Sequence, residues 1–197
     1  MATIIGIDPG LKGGIAVLPD VPGIPGEPEL HVMPVITIPK ASGGEKHEYD
    51  EPGIVEILRG AQERFGPVHV AIERQQAMPG QGVTSMFSTG LGYGILRGIV
   101  TALGLPNSRP QAKAWQKVML AGMPRPATGK ASAKIGAIVC QRLWPGVSLL
   151  ASSRSRIPHE GLADALLIAE YTRRSLAARQ DADRYARRPL DSEDVLP

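Results

Sequence analysis

Four acids stand out by where they fall along the chain. Asp8 closes the apolar run Thr3–Ile7 and is followed by Pro9-Gly10, and Glu73 closes the apolar run Val68–Ile72. Asp164 sits inside Leu162-Ala163-Asp164-Ala165-Leu166-Leu167, with Glu160 one helical turn before it. Acids that end two parallel neighbouring strands stand side by side at the sheet edge where α/β folds place their sites. Anions that close repel, and a divalent cation relieves the repulsion. Oxygen donors without a Cys or His cluster favour Mg²⁺ or Mn²⁺. An acid on the buried side of a helix, as Asp164 would be, is costly unless it is paired or binds metal. Each acid also has a simpler reading. Asp8 suits a turn before Pro-Gly, Glu73 could pair with Arg74, and Glu160 complements a positive helix N-terminus. The combination is more specific than any member.

The elements that must hold these acids follow from the apolar pattern. Thr3–Ile7 and Gly14–Leu18 read as two strands around a tight Gly-rich turn, and Leu30–Ile38 as a third. Ile54, Ile57, Leu58 and Ala61, with Pro52 near the start and Gly66-Pro67 after the end, predict a helix over Glu51–Phe65. Val68–Ile72 is apolar throughout, as a central strand is. Helices are expected over roughly Thr84–Leu103, Pro110–Leu120, Ala131–Leu143 and from His159 to about Ala178. Gly90, Gly94 and Gly98 make a smooth helical stripe, suited to close packing against a second copy or against the chain's own sheet. They do not make a dinucleotide fingerprint, because Arg97 occupies the third glycine position of G-x-G-x-x-G after Gly92 and Gly94. This order is α/β, one sheet flanked by helices. The expected division is one domain over 1–178 and a flexible tail over 179–197.

Of 197 residues, 43% are hydrophobic, enough for one domain with a real core. The lone Cys140 excludes an internal disulfide and a cysteine-built zinc site. MATIIGIDPG shows no basic leader before an apolar run, and Leu91–Leu105 is interrupted by Arg97 and glycines, so neither secretion nor a membrane span is expected. A reducing, cytoplasmic setting is expected. The net charge of +3 hides a segregation: the 86 residues from Arg74 to His159 carry 11 Lys/Arg and none of the 19 acids. One-sign segregation of that kind suits a polyanion.

Ile4–Leu18 (IIGIDPGLKGGIAVL), Val70–Glu73 (VAIE), GYGILRGIVTALGLP and HEGLADALLIAEY at 159–171 together resemble the RuvC-like Holliday-junction resolvases of the RNase H-like superfamily, closest in pattern to phage-type members. The resemblance spans residues 4 to 171 in the family's order. It implies a five-stranded mixed sheet, three antiparallel strands followed by two parallel ones, flanked by helices. It also implies a Mg²⁺-dependent endonuclease that resolves four-way DNA junctions as a homodimer by paired nicks, leaving 5′-phosphate and 3′-hydroxyl ends. Two metal ions about 3.5–4 Å apart would do this, with Mn²⁺ able to substitute.

On this resemblance Asp8, Glu73 and Asp164 are catalytic metal ligands. Many members carry an acid or His three residues before the last Asp, where this chain has Gly161. Glu160 is then the candidate fourth ligand, with His159 the alternative, lying about 140° around the helix from Asp164. Arg74, Lys113, Lys117, Lys130 and Lys134 are candidate phosphate contacts. Met78 and Phe87 occupy the neighbourhood from which members insert a side chain into the junction, although either could simply be packed. Three alternatives stay open: another RNase H-like nuclease acting on flaps, RNA or hybrids, a non-catalytic junction-binding protein, and a nucleotide-binding domain with Asp8-Pro9-Gly10 and Gly13-Gly14 as a phosphate hairpin.

Overall fold

Two apolar runs joined by a glycine-rich turn start the fold: β1 (Thr3–Asp8) and β2 (Gly14–Leu18) pair antiparallel, with Asp8 opposite Gly14. The turn is closed by Gly10 N donating to Asp8 O at 3.0 Å and Gly13 N to Gly10 O at 2.8 Å. In this computed structural model, residues 2–20, 26–77, 79–124 and 130–186 are described, with the side chains of 130–134 and 185 left aside. β3 (Glu29–Val32), β4 (Val35–Pro39) and β5 (Glu45–Tyr49) come next, then α1 (Glu51–Phe65), β6 (Val68–Ile72) and α2 (Val83–Ala102). The chain goes on through β7 (Asn107–Ser108), α3 (Ala112–Met119), α4 (Lys130–Leu143) and α5 (Glu160–Ala186).

The main sheet has the order β3-β2-β1-β6-β7, antiparallel through β3-β2-β1 and parallel through β1-β6-β7. This is the mixed five-stranded sheet that the resemblance implied. The expected third strand, Leu30–Ile38, is in fact two. Pro34 has no N–H to give a ladder, so the chain leaves the sheet after Val32. Val35–Pro39 instead pairs with Glu45–Tyr49 as a separate two-stranded ribbon, turned by Gly43 and Gly44 at φ 86° and 81°. The α1 boundaries are as expected, with Asp50 capping through Gly53 N at 3.1 Å. α5 runs beyond Ala178 to Ala186, so the helix extends into the stretch expected to be tail.

The pleat sorts the sheet residues between two cores. Ile5, Ile7, Ile15, Val17, Val70 and Ile72 pack with Ile54, Leu58, Leu96 and Val100 of α1 and α2. On the other face Ala16 and Ala71 pack with Trp115 of α3, Cys140 of α4 and the apolar run of α5. From Leu162 to Glu170 every α5 residue except Asp164 is buried, the pattern of a helix enclosed on all sides. Its closeness to the sheet depends on missing side chains. A Cβ on Gly6 would overlap the backbone carbonyl of Ala165 and lie 2.6 Å from Ala169 N, and one on Gly14 would lie 2.8 Å from Gly161 O.

Candidate metal-binding active site

Asp8 and Glu73 leave the sheet at one level. Ile7 is opposite Ile72 in the parallel ladder, and Glu73 N donates to Ile7 O at 3.0 Å, so each acid follows the last residue its strand pairs in that ladder. By the alternation of the pleat, Asp8 shares its face with Ile4 and Gly6, and Glu73 shares its face with Ala71. Both are therefore on the α5 side, and the close seat of α5 on Gly6 brings Asp164 beside Asp8.

The electrostatics record this convergence. Burial, then the charges of Glu73 and Glu160, push the Asp8 carboxyl up from 3.8 to about 7. Burial, then Asp8, Glu160 and Glu73, push Asp164 up to about 8. Each of the four acids thus acts on another of the set, and no Lys or Arg forms an ion pair with any of them among the described residues. Glu170, also on α5 and only 2% exposed, shows the opposite solution. It accepts from Arg173 at 2.8 and 2.9 Å and from Arg174 at 2.7 Å. A buried acid in this fold can be neutralised by guanidinium, and among the described residues no such partner meets Asp8, Glu73, Glu160 or Asp164.

Glu73 differs from the aspartates in being held. Trp115 Nε1 donates to its Oε1 at 2.8 Å and Gln75 Nε2 to its Oε2 at 3.0 Å. Tyr49 of β5 also borders the site: its hydroxyl packs on Gly92 of α2, and burial and the Asp8 charge push its phenol above the ordinary range. Asp164 further raises the buried Cys140 thiol, which burial already lifts, to about 12, so that thiol is inert near neutral pH.

The start of α5 bears on the choice between Glu160 and His159. His159 Nδ1 accepts from Leu162 N at 3.3 Å, the position of an N-cap, while Glu160 is exposed in the first turn and its charge reaches both aspartates. Gly161 is glycine for a steric reason. A Cβ there would lie 2.6 Å from Gly13 Cα and 2.7 Å from Lys12 O. His159→Ala should therefore lower stability by about 1 kcal/mol, as loss of a cap does, and leave the site's acidity intact. A denaturant midpoint unchanged by the substitution would contradict the capping role.

The donors suit a hard divalent cation: four carboxylates, mutually repelling and, among the described residues, without cationic partners. Among the described residues, no three His, Cys, Asp or Glu side chains are already drawn into a cage around one point.

Among the candidate phosphate contacts, Arg74, Lys113 and Lys117 are exposed. The side chains of Lys130 and Lys134, at the start of α4, and all of Met78 lie outside the described residues. Phe87 is 69% exposed on α2, so packing within its own chain does not account for it. Nor does the glycine stripe pack on the chain's own sheet: a Cβ at Gly90, Gly94 or Gly98 would meet nothing within 4 Å, and the α2 glycine in close contact is Gly92. Sequence reasoning missed Gln75, Trp115 and Tyr49. Gln75 was signalled by its place two residues after Glu73. Tyr49 had no signal, because β5 itself has no apolar period.

No protein-family model and no curated protein matches this sequence. The likeness is in three dimensions. RuvC of Thermus thermophilus in complex with Holliday junction substrate aligns at TM-score 0.51 and 16% identity, covering 91% of this chain and 96% of that one. The structure of T. thermophilus RuvC aligns at TM-score 0.49 and 20% identity over the same shares of the two chains, 91% and 96%. The yeast mitochondrial Holliday junction resolvase aligns at TM-score 0.43 and 12% identity, covering 93% of this chain and 84% of that one. The first of these likenesses establishes the fold, which is RuvC-like.

Proposed function

We propose that this protein is a metal-dependent, structure-selective endonuclease that resolves four-way DNA junctions. The observation that carries the reading is the meeting of Asp8, Glu73, Glu160 and Asp164, uncompensated by any described cation, at one edge of a RuvC-like sheet. A purely DNA-binding surface would not place uncompensated carboxylates near phosphates, because they oppose binding unless a cation intervenes.

Asp8, Glu73, Asp164 and Glu160 would hold Mg²⁺, two ions per site with Mn²⁺ able to substitute. The ions would supply an activated water and stabilisation of the departing 3′-oxygen, which leaves 5′-phosphate and 3′-hydroxyl ends. The chain's own part is positional. Glu73 is held in one orientation by Trp115 and Gln75, and Asp8 is placed beside it by the strand register. Asp8 and Asp164, with carboxyls near 7 and 8, give up protons as the site loads, so cation affinity rises with pH across that range.

The acid-free segment would carry the phosphate contacts, through Arg74, Lys113 and Lys117 and, at the start of α4, Lys130 and Lys134. Junction affinity should fall steeply with salt, by a log–log slope of about 0.9 per phosphate neutralised. Lys113→Ala and Lys117→Ala should each reduce that slope by about 1. Filter-binding titrations against salt measure it, and a flat dependence would remove this segment as the binding face.

Nicks in two opposing strands call for two active sites. The exposed α2 residues Val83, Phe87 and Leu91, beside open Gly90, Gly94 and Gly98, support a homodimer through this helix. The substrate class is tested by competition in Mg²⁺ among a four-way junction, a flap, an RNA/DNA hybrid and a linear duplex. Preferred cleavage of the junction is expected. Equal cleavage of linear duplex would point to a general RNase H-like nuclease, and binding without cleavage to an architectural protein.

A further inference from the structure

Glu73 is the one acid of the site with described hydrogen-bond donors on both oxygens, and both donors are neutral. Neutral donors orient a carboxylate without competing for it as a cation would. A carboxylate has about four acceptor positions, so two remain for a ligand after Trp115 and Gln75 have taken theirs. Gln75 is half-buried and two residues away in sequence, so it moves with Glu73. Trp115 is different: it is 1% exposed, 42 residues distant, and carried by another element.

That element is a single eight-residue helix fastened at its start to the strand it serves. Arg74 N donates to Pro110 O at 2.8 Å, an isolated bridge joins Arg74 to Gln111, and Trp115 N donates to Gln111 O at 3.2 Å. Trp115 faces inward, while Lys113 and Lys117, two residues to either side, are exposed on the outward face. One short rigid piece thus bears a buried donor to Glu73 and two cations open to a phosphate backbone.

We infer that Trp115 is a positioning residue: its indole N–H fixes the Glu73 carboxylate for cation binding and links the DNA-facing side of α3 to the active site. The inference rests on the reading of the acids as a cation site. Outer hydrogen-bond partners of ligating carboxylates typically contribute about 10–100-fold in metal affinity or activity.

The test replaces Trp115 site-specifically by 3-benzothienylalanine, which keeps the bicyclic shape and removes the N–H; Trp115→Phe serves as a second variant. Calorimetric titration with Mn²⁺ alone, without DNA, should show about 10–100-fold weaker binding than the parent. Junction cleavage should need correspondingly more Mg²⁺, with kcat at saturating Mg²⁺ much less affected and the thermal midpoint of the benzothienyl protein close to the parent's. Parent-like Mn²⁺ affinity and Mg²⁺ dependence in the benzothienyl protein, while the parent binds Mn²⁺ and cleaves junctions, would overturn the role of Trp115 alone. A parent protein that neither binds Mn²⁺ nor cleaves would overturn the cation-site reading, and this inference with it.

Discussion

Asp8→Asn should abolish junction cleavage and at the same time make the metal-free protein more stable near pH 8. The loss of activity should be about 10³-fold or more, since metal stabilisation of a transition state is worth several kcal/mol and each 1.36 kcal/mol is tenfold. The gain in stability follows from proton linkage. The Asp8 and Asp164 carboxyls are raised from 3.8 to about 7 and about 8 in the folded chain. Between the unfolded and folded values the native state holds more protons than the unfolded state, so stability falls as pH rises. Their contribution is fully present below about pH 4 and is lost as pH climbs through about 7 to 8. Asp8→Asn or Asp164→Asn removes one charge from the cluster and should flatten that decline. Thermal unfolding in EDTA across this range reads the effect directly. A variant that keeps cleaving, or that is less stable than the parent near pH 8 without metal, would contradict the account of these acids.

Gly161→Asp should fail in an instructive way. It installs an acid three residues before Asp164, where the resemblance to RuvC-like resolvases calls for one. Here any Cβ runs into Gly13 Cα at 2.6 Å and Lys12 O at 2.7 Å, both backbone and unable to rotate away. Overpacking typically costs 1–3 kcal/mol, and rigid backbone on the far side puts this case at about 3. For a chain of this size that is a fall of about 6–12 °C in Tm. Activity should drop as well, because α5 must lift from β1 and β2 and carry Asp164 away from Asp8. Glu160→Gln, an exposed position with no packed backbone to overlap, should lower activity without the fall in Tm expected of Gly161→Asp. Gly161→Asp with the parent's Tm would show that the helix seat is looser than the glycine contacts require.

The two cases show which features were legible in the sequence and which were not. Asp8, Glu73 and Asp164 were legible because each breaks an apolar run, and burying an acid there needs a reason. The strands β1, β2 and β6 were legible because they are nearly all apolar, as enclosed strands must be, whereas their mixed order came only from the resemblance to the RuvC-like family. The break at Pro34 was legible in principle, since a proline cannot serve a ladder from mid-strand, but the apolar residues on either side read as one strand. Glu45–Tyr49 was not legible: its side chains alternate Glu, Lys, His and Glu, so both faces are solvated and no period marks it. Trp115 was not legible: it is one apolar residue of a short helix, between Lys113 and Lys117, and nothing in its spacing ties it to Glu73. Only the three-dimensional structure, in which Arg74 is tied to Pro110 and Gln111 just ahead of α3, shows that the one polar side-chain atom of Trp115 meets Glu73. The glycine stripe was visible as a packing surface, but the sequence carried no sign that it would face outward.

The most direct test of the central claim is the fate of a synthetic four-way junction incubated with the protein and Mg²⁺, with the nicks mapped and the products offered to DNA ligase. The account predicts paired nicks in opposing strands, 5′-phosphate and 3′-hydroxyl ends that the ligase reseals, and loss of both in Asp8→Asn. Products that cannot be ligated, nicks confined to one strand, or cleavage that survives Asp8→Asn would contradict it.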